Sequence, residues 1–209
     1  ANLPWQEEEK EIRLCDRSLA TAILYDQCPD HQQAASLKAL VECPPELGLS
    51  YPANAYWRYW ALARCGRTDI IVREWRERWA TMPSVIQNNA LQEFWEVDTD
   101  NTQEWSHCPV SPVYLLYNDI AGIRPTTPGF TRCTIRPQLT GIGRLALTFS
   151  TVKGPIHFEA KPAPGGHEVV VTLPEGCTAE LQLPDEKKPL NAGETHTFFC
   201  RDAVQYSNK

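Results

Sequence analysis

The apolar residues of this 209-residue chain change their period part-way along it, so one kind of secondary structure cannot serve both halves. Before Gly122 they recur at intervals of three and four, which lines them along one face of a helix. From Phe130 onward they alternate, which is the pattern of a strand with one buried face. All seven tryptophans fall on the helical side, between Trp5 and Trp105.

Proline and glycine punctuate the first half into helices. Ile12, Cys15, Leu19 and Ile23 share a face that stops before Pro29. Asp30 and Gln33 have the spacing of a capping box for a helix carrying Ala34, Leu37 and Val41. A third helix is predicted from Pro52 through Trp57 and Trp60 to Gly66, whose missing Cβ suits a left-handed end. Thr68 is placed to cap a fourth, with Ile71, Trp75 and Trp79 on one face, and a fifth follows Pro109 and closes at Gly122. Short connections make neighbouring helices antiparallel hairpins. Trp57, Trp60, Trp75 and Trp79 read as core residues.

In the second half Leu145, Leu147 and Phe149 alternate with small or polar residues, as do Ile156, Phe158 and Ala160. Turns at Gly154–Pro155, Pro164–Gly166, Pro174–Gly176 and Asn191–Gly193 separate short strands, the last ending near Cys200. Regular short strands of this kind indicate an antiparallel β-sandwich. The domain reading is a helical part over residues 1–123 and a β-domain over 124–209.

Composition removes several function classes. A net charge of −6 lacks the basic footprint of a nucleic-acid-binding protein. No apolar run reaches the roughly 18 to 20 residues that span a bilayer, and no secretory core is visible. The eight cysteines form no CxxC pair, so a zinc knuckle is not expected, and most read as buried structural thiols. Neither a metal nor a cofactor is expected, and the chain has no P-loop, G-x-G-x-x-G, G-x-S-x-G or H-E-x-x-H. The only methionine is Met82 and the first residue is Ala1, so the chain reads as a processed or excised piece. Its setting, cytoplasmic or periplasmic and secreted, would be decided upstream of Ala1.

The stretch with chemistry runs from Leu91 to Gln138. Glu93 lies after Asn88–Asn89, between Leu91 and the rings of Phe94 and Trp95. A carboxylate partly desolvated among apolar rings is tunable as a base; the same residue also reads as a solvated loop acid. Glu96 is the runner-up, and Asp98, Asp100 and Glu104 read as a solvated acidic loop. Trp95 offers a ring face for the C–H side of a sugar, against the competing reading of core packing. His107 precedes Pro109 and can donate to or accept from hydroxyls, though a lone histidine is commonly structural. Asn54 opens the third helix, where a local helix-start hydrogen bond is the simpler account.

The ordered series LQEFW, WSHC, GIRP, PGF and IRPQ resembles the end of bacterial α-L-rhamnosidases. In that family a glutamate in an aromatic motif is followed by a histidine on the next helix, and a GIRP/PGF junction leads into a terminal β-sandwich. The resemblance implies that the hairpins belong to an (α/α)6 barrel, of which this chain holds less than half. It matches Glu93 to the general base of an inverting hydrolase, His107 to a sugar-contacting histidine and Asn54 to a small-residue turn facing the cavity, where a hydroxyl contact can form. Trp95 is a candidate sugar contact through its place beside Glu93. The general acid would lie upstream of Ala1. The family often has Thr-x-Trp before the glutamate, where Ala90, Leu91 and Gln92 stand here, and Cys108 stands where an aromatic is often found.

The functional expectation is therefore the C-terminal portion of a glycoside hydrolase acting on terminal α-L-rhamnosides, with a rhamnose-containing glycoside or polysaccharide as substrate. As a piece it should be inactive alone. It should bind the missing N-terminal part or self-associate as a homo-oligomer, because apolar faces such as Ile71, Trp75 and Trp79 would lack neighbours. Two other readings stand beside it: another (α/α)6 glycosidase, or a non-catalytic carbohydrate-binding or structural module.

Overall fold

The computed structural model describes residues 14–97 and 108–202, and the chain divides into two compact units, Ala1–Pro112 and Val113–Lys209. In the first unit, β1 (Leu14–Cys15) pairs in parallel with β2 (Leu47–Gly48), and between them run α1 (Asp16–Leu24) and α2 (Asp30–Glu42). A 3-10 turn over Pro52–Asn54 leads into α3 (Tyr56–Arg64), then α4 (Thr68–Glu74), a π turn over Trp75–Trp79, and α5 (Pro83–Asn88). Helix α3 packs against α1, α2 and α4. Ala20, Leu24, Leu40, Tyr59, Leu62 and Ile71 form the buried centre.

Several local readings change on contact with the structure. Asp30 does not cap α2: Pro29 occupies the cap, and the Gln33 amide donates to the Asp30 carboxylate at 3.3 Å. Proline has no N–H to leave unpaired, but its cap position lacks a side-chain acceptor. Likewise Arg67, not Thr68, stands at the cap of α4. Trp57, Trp60 and Trp75 are half-buried rather than buried. Trp60 instead stacks with Tyr56, ring centroids 5.5 Å apart. Arg58 and Tyr59 hold the interior face of α3 in their place. Ile71 and Trp79 are almost completely covered and Trp75 is half-buried, so these are not the bare faces expected of a partial barrel.

The second unit begins with the end of α6 (Ser111–Leu115) and a π turn over Leu116–Ile120. The strands that follow are β3 (Ile123–Pro125), β4 (Arg132–Ile135), β5 (Leu145–Thr151), β6 (Gly154–Ala163), β7 (Gly166–Thr172), β8 (Thr178–Leu183), β9 (Glu186–Leu190) and β10 (Thr195–Arg201). They form two four-stranded sheets, ordered β10-β7-β6-β5 and β3-β4-β8-β9. The first is wholly antiparallel. In the second, β4 and β8 run parallel, with Cys133 opposite Ala179 and Ile135 opposite Leu181, which departs from a purely antiparallel reading. The reason is connectivity: the β5–β6–β7 meander intervenes between β4 and β8, so no tight turn forces them to oppose. Ile156, Phe158, Ala160, Val169 and Val171 line the buried face of one sheet, and Ile123, Ile135, Ala179, Leu181 and Leu190 that of the other.

Gly122 sits at the junction with φ of 71°, and a Cβ there would lie 2.0 Å from the Arg136 carbonyl oxygen. Only glycine fits this approach, which lets Arg136 N–H donate to the Gly122 carbonyl at 3.0 Å.

Candidate active site

The first unit brings the start of α3 and the loop after α5 together. Asp16 begins the arrangement from the first turn of α1, where it is 2% exposed. Its carboxylate accepts from the Ser50 backbone N–H at 3.0 Å and from the Ser50 hydroxyl at 2.7 Å. The Ser50 carbonyl in turn accepts from the Trp95 indole N–H at 3.0 Å. Beside that bond Tyr51 and Phe94 meet with ring centroids 5.0 Å apart. The segment leading to Asn54 is thereby fixed against the segment that carries Glu93 and Trp95.

Glu93 is half-buried, and its side chain makes no hydrogen bond or ion pair among the described residues. It is therefore available to a ligand in a way that a paired carboxylate is not. Gln92 before it is fully buried and bonded on every side. Glu96 is exposed. Asn54 ends the 3-10 turn, where its backbone N–H donates to Tyr51 at 2.9 Å. His107 lies outside the described residues, as do Asp98, Asp100 and Glu104.

Trp95 is half-buried and heavily engaged. The Arg78 guanidinium lies over its ring, 3.8 Å from the centroid, and Trp79 meets it edge to face at 5.4 Å. Cation–π contact of this kind uses one face of the indole, which leaves Trp95 one face fewer for a sugar. Behind it stands a buried polar network that the sequence did not reveal. Trp79 Nε1 donates to the Tyr59 hydroxyl at 2.9 Å, and that hydroxyl donates to Glu74 at 2.8 Å. Arg58 grips Glu74 with two bonds of 2.7 Å and donates to the Leu40 carbonyl at 2.8 Å.

The electrostatics of that network are set by burial first. Burial raises the Glu74 carboxyl, but hydrogen bonds from Arg58 and Tyr59 and the charges of Arg58 and Arg78 outweigh it, so the net shift is downward. The Tyr59 hydroxyl is pushed well up by burial and by the Glu74 charge. Glu74 thus stays ionised and Tyr59 stays a donor. The group is a rigid support and lacks a group poised to exchange protons.

In the second unit a shallow hollow of about 390 Å³ opens on the outer face of β5, β6 and β7. Its polar groups are already paired: Arg144 with Glu159 at 2.8 Å, and Thr148 with the His157 ring at 3.2 Å. No tryptophan or tyrosine lines it. Among the described residues no group of three His, Cys, Asp or Glu side chains converges to hold a metal ion. The eight cysteines are free thiols; Cys28, Cys133, Cys177 and Cys200 are buried, while Cys65 and Cys108 are exposed.

Comparison with known proteins gives this geometry a context. Residues 122–198 match the family described as bacterial alpha-L-rhamnosidase C-terminal domain. An alpha-L-rhamnosidase of Streptomyces avermitilis is 31% identical over 87 residues, 41% of this chain and 8% of that protein. The solved structure of a Streptomyces avermitilis alpha-L-rhamnosidase complexed with L-rhamnose superposes with a TM-score of 0.70 at 20% identity, covering 89% of this chain and 21% of that one. The native enzyme of Aspergillus terreus gives a TM-score of 0.72 at 19% identity, covering 89% and 24%. The chain thus spans less than a quarter of the length of these relatives. Its likeness is to the C-terminal portion of α-L-rhamnosidases.

Proposed function

We propose that this chain is the C-terminal portion of a glycoside hydrolase that removes terminal α-L-rhamnose from glycosides or polysaccharides. The observation that carries the reading is the match over residues 122–198 to the α-L-rhamnosidase C-terminal domain, preceded by a helical unit in which half-buried Glu93, next in sequence to Phe94 and Trp95, has no side-chain partner among the described residues. On this reading residues 1–123 close an (α/α)6 barrel and residues 124–209 form its terminal β-sandwich.

Glycoside hydrolysis with inversion uses one carboxylic acid to protonate the leaving oxygen and one carboxylate to activate water on the opposite face. Glu93 takes the second role. Half-burial beside Phe94 and Trp95 limits the water around it, which favours proton abstraction from a positioned water molecule. The acid comes from the part of the parent protein upstream of Ala1. Trp95, His107 and Asn54 contact the sugar, Trp95 through what Arg78 leaves uncovered and the other two through hydroxyl hydrogen bonds.

The test is Glu93→Gln in the complete parent protein, assayed on an aryl α-L-rhamnoside. Gln keeps the shape but cannot accept the water proton, so turnover should fall by about 10²- to 10⁴-fold. Near-normal hydrolysis would remove Glu93 from the role. Product released first as the same anomer as the substrate would exclude inversion, and activity on glucosides or uronides alone would redirect the reading to another barrel glycosidase.

A further inference from the structure

We infer that Gln92 is a positioning residue that fixes the backbone on which Glu93 is presented; this rests on the role proposed for Glu93. The Gln92 side chain is 0% exposed and spends its whole hydrogen-bonding capacity. Its Oε1 accepts from the Ser84 backbone N–H at 3.3 Å and from the Ser84 hydroxyl at 2.9 Å. Its Nε2 donates to the carbonyl of Phe94 at 2.8 Å and to that of Trp95 at 3.1 Å. An amide offers two hydrogens and one oxygen with two lone pairs, so nothing is left unused.

These four bonds have a directional consequence. One end of the amide is anchored on the first turn of α5, and the other draws in the two carbonyls that follow Glu93. The chain from residue 92 to residue 95 folds back on its own side chain, with Glu93 on the bend. Glu93 has no side-chain partner of its own among the described residues, so this backbone sets where its carboxylate points. Trp95 is held from a second direction by its bond to Ser50. Glutamate at position 92 would turn an acceptor toward two carbonyl oxygens, and an aliphatic residue would leave buried polar groups unpaired.

Displacing a reacting group by about 1 Å costs on the order of 10²-fold in rate. In the complete parent protein, Gln92→Ala and Gln92→Glu should each lower kcat on an aryl α-L-rhamnoside by about 10- to 100-fold with KM within about threefold. Gln92→Glu should recover part of its kcat, relative to the parent at the same pH, as acid supplies the missing O–H donor. Ser84→Ala removes only one anchor from a surviving amide and should lower kcat by about three- to tenfold, and it decides the matter if the Gln92 variants do not fold. Glu93→Gln run alongside separates the two readings: if it abolishes turnover while the Gln92 and Ser84 variants keep kcat within twofold of the parent, the positioning role is overturned and the base stands. If Glu93→Gln is itself active, the base assignment fails, and this inference falls with it.

Discussion

At Glu74 burial and charge pull in opposite directions, and the balance can be read out with acid. Glu74 is 7% exposed, its carboxylate held by two bonds from Arg58 and one from Tyr59. Its folded pKa lies below the usual value of about 4.3. A depressed value means that the unfolded chain binds the proton more readily. The stabilisation is therefore complete above about 4.3 and is lost as pH falls through the folded pKa. Glu74→Gln would strand a buried guanidinium, so it should cost about 3–5 kcal/mol at pH 7. Urea unfolding of the chain between pH 3 and 7 checks both points: the variant should be weaker at neutrality and flatter on the acid side. Asp119 acts in the opposite sense. Burial raises it despite Arg124, and its Oδ2 has no partner among the described residues. Its contribution is fully present below the usual carboxylate range and is lost as pH rises through the raised value. Around the candidate site the sequence singled out Glu93, Trp95, His107 and Asn54, with Glu96 as runner-up. Gln92, Glu74 and Arg58 carry no periodic signal, because a buried polar side chain is placed by partners far along the chain, as Ser50 is for Trp95.

Elements were legible where backbone chemistry punctuates the chain. Pro29, Pro52, Gly66 and Gly122 mark helix boundaries in both the sequence and the structure. The π turns after α4 and α6 left no such mark, and neither did α5, a short helix lying beyond Met82. Strands β5, β6, β7 and β8 followed from alternation, and β10 from the turn at Asn191–Gly193. Strand β9 was missed because EKKPL is largely exposed and shows no apolar face, and the β4–β8 pairing joins segments too distant for a local pattern. Two glycines with the same backbone sign allow a controlled test of what such positions demand. Gly66 has φ of 74° with nothing near its absent Cβ, whereas Gly122 has φ of 71° against the Arg136 backbone. Gly66→Ala should cost only the left-handed penalty, about 1–2 kcal/mol. Gly122→Ala should cost clearly more, because backbone must move as well. Thermal unfolding of the two variants side by side would show the difference, and equal losses would mean that the Arg136 approach is not tight.

For the whole molecule, the division into a helical and a β part was visible in the change of period, and the family likeness in the order of short motifs. Which apolar faces stay uncovered was not visible. Among the described residues Ile86 in the first unit and Val113 and Val152 in the second are among the exposed large apolar side chains, whereas Ile71 and Trp79, expected to lack neighbours, are buried. Exposed apolar side chains favour association where they lie together in a contiguous patch. The 209-residue chain alone, with one carboxylate of the proposed pair, should fail to hydrolyse an aryl α-L-rhamnoside and should elute from a sizing column as a species larger than a monomer. Normal hydrolysis by a monomer would remove the two-carboxylate proposal. How that association proceeds is constrained by β9, which closes one end of its sheet with Glu186, Lys187, Lys188 and Pro189. A strand at a sheet margin is a template for adding another chain, and charges together with a residue lacking an N–H blunt that template. Copies meeting at this margin would have to bury lysines and forgo a ladder bond, so open-ended fibre growth is discouraged there even when the chain is crowded.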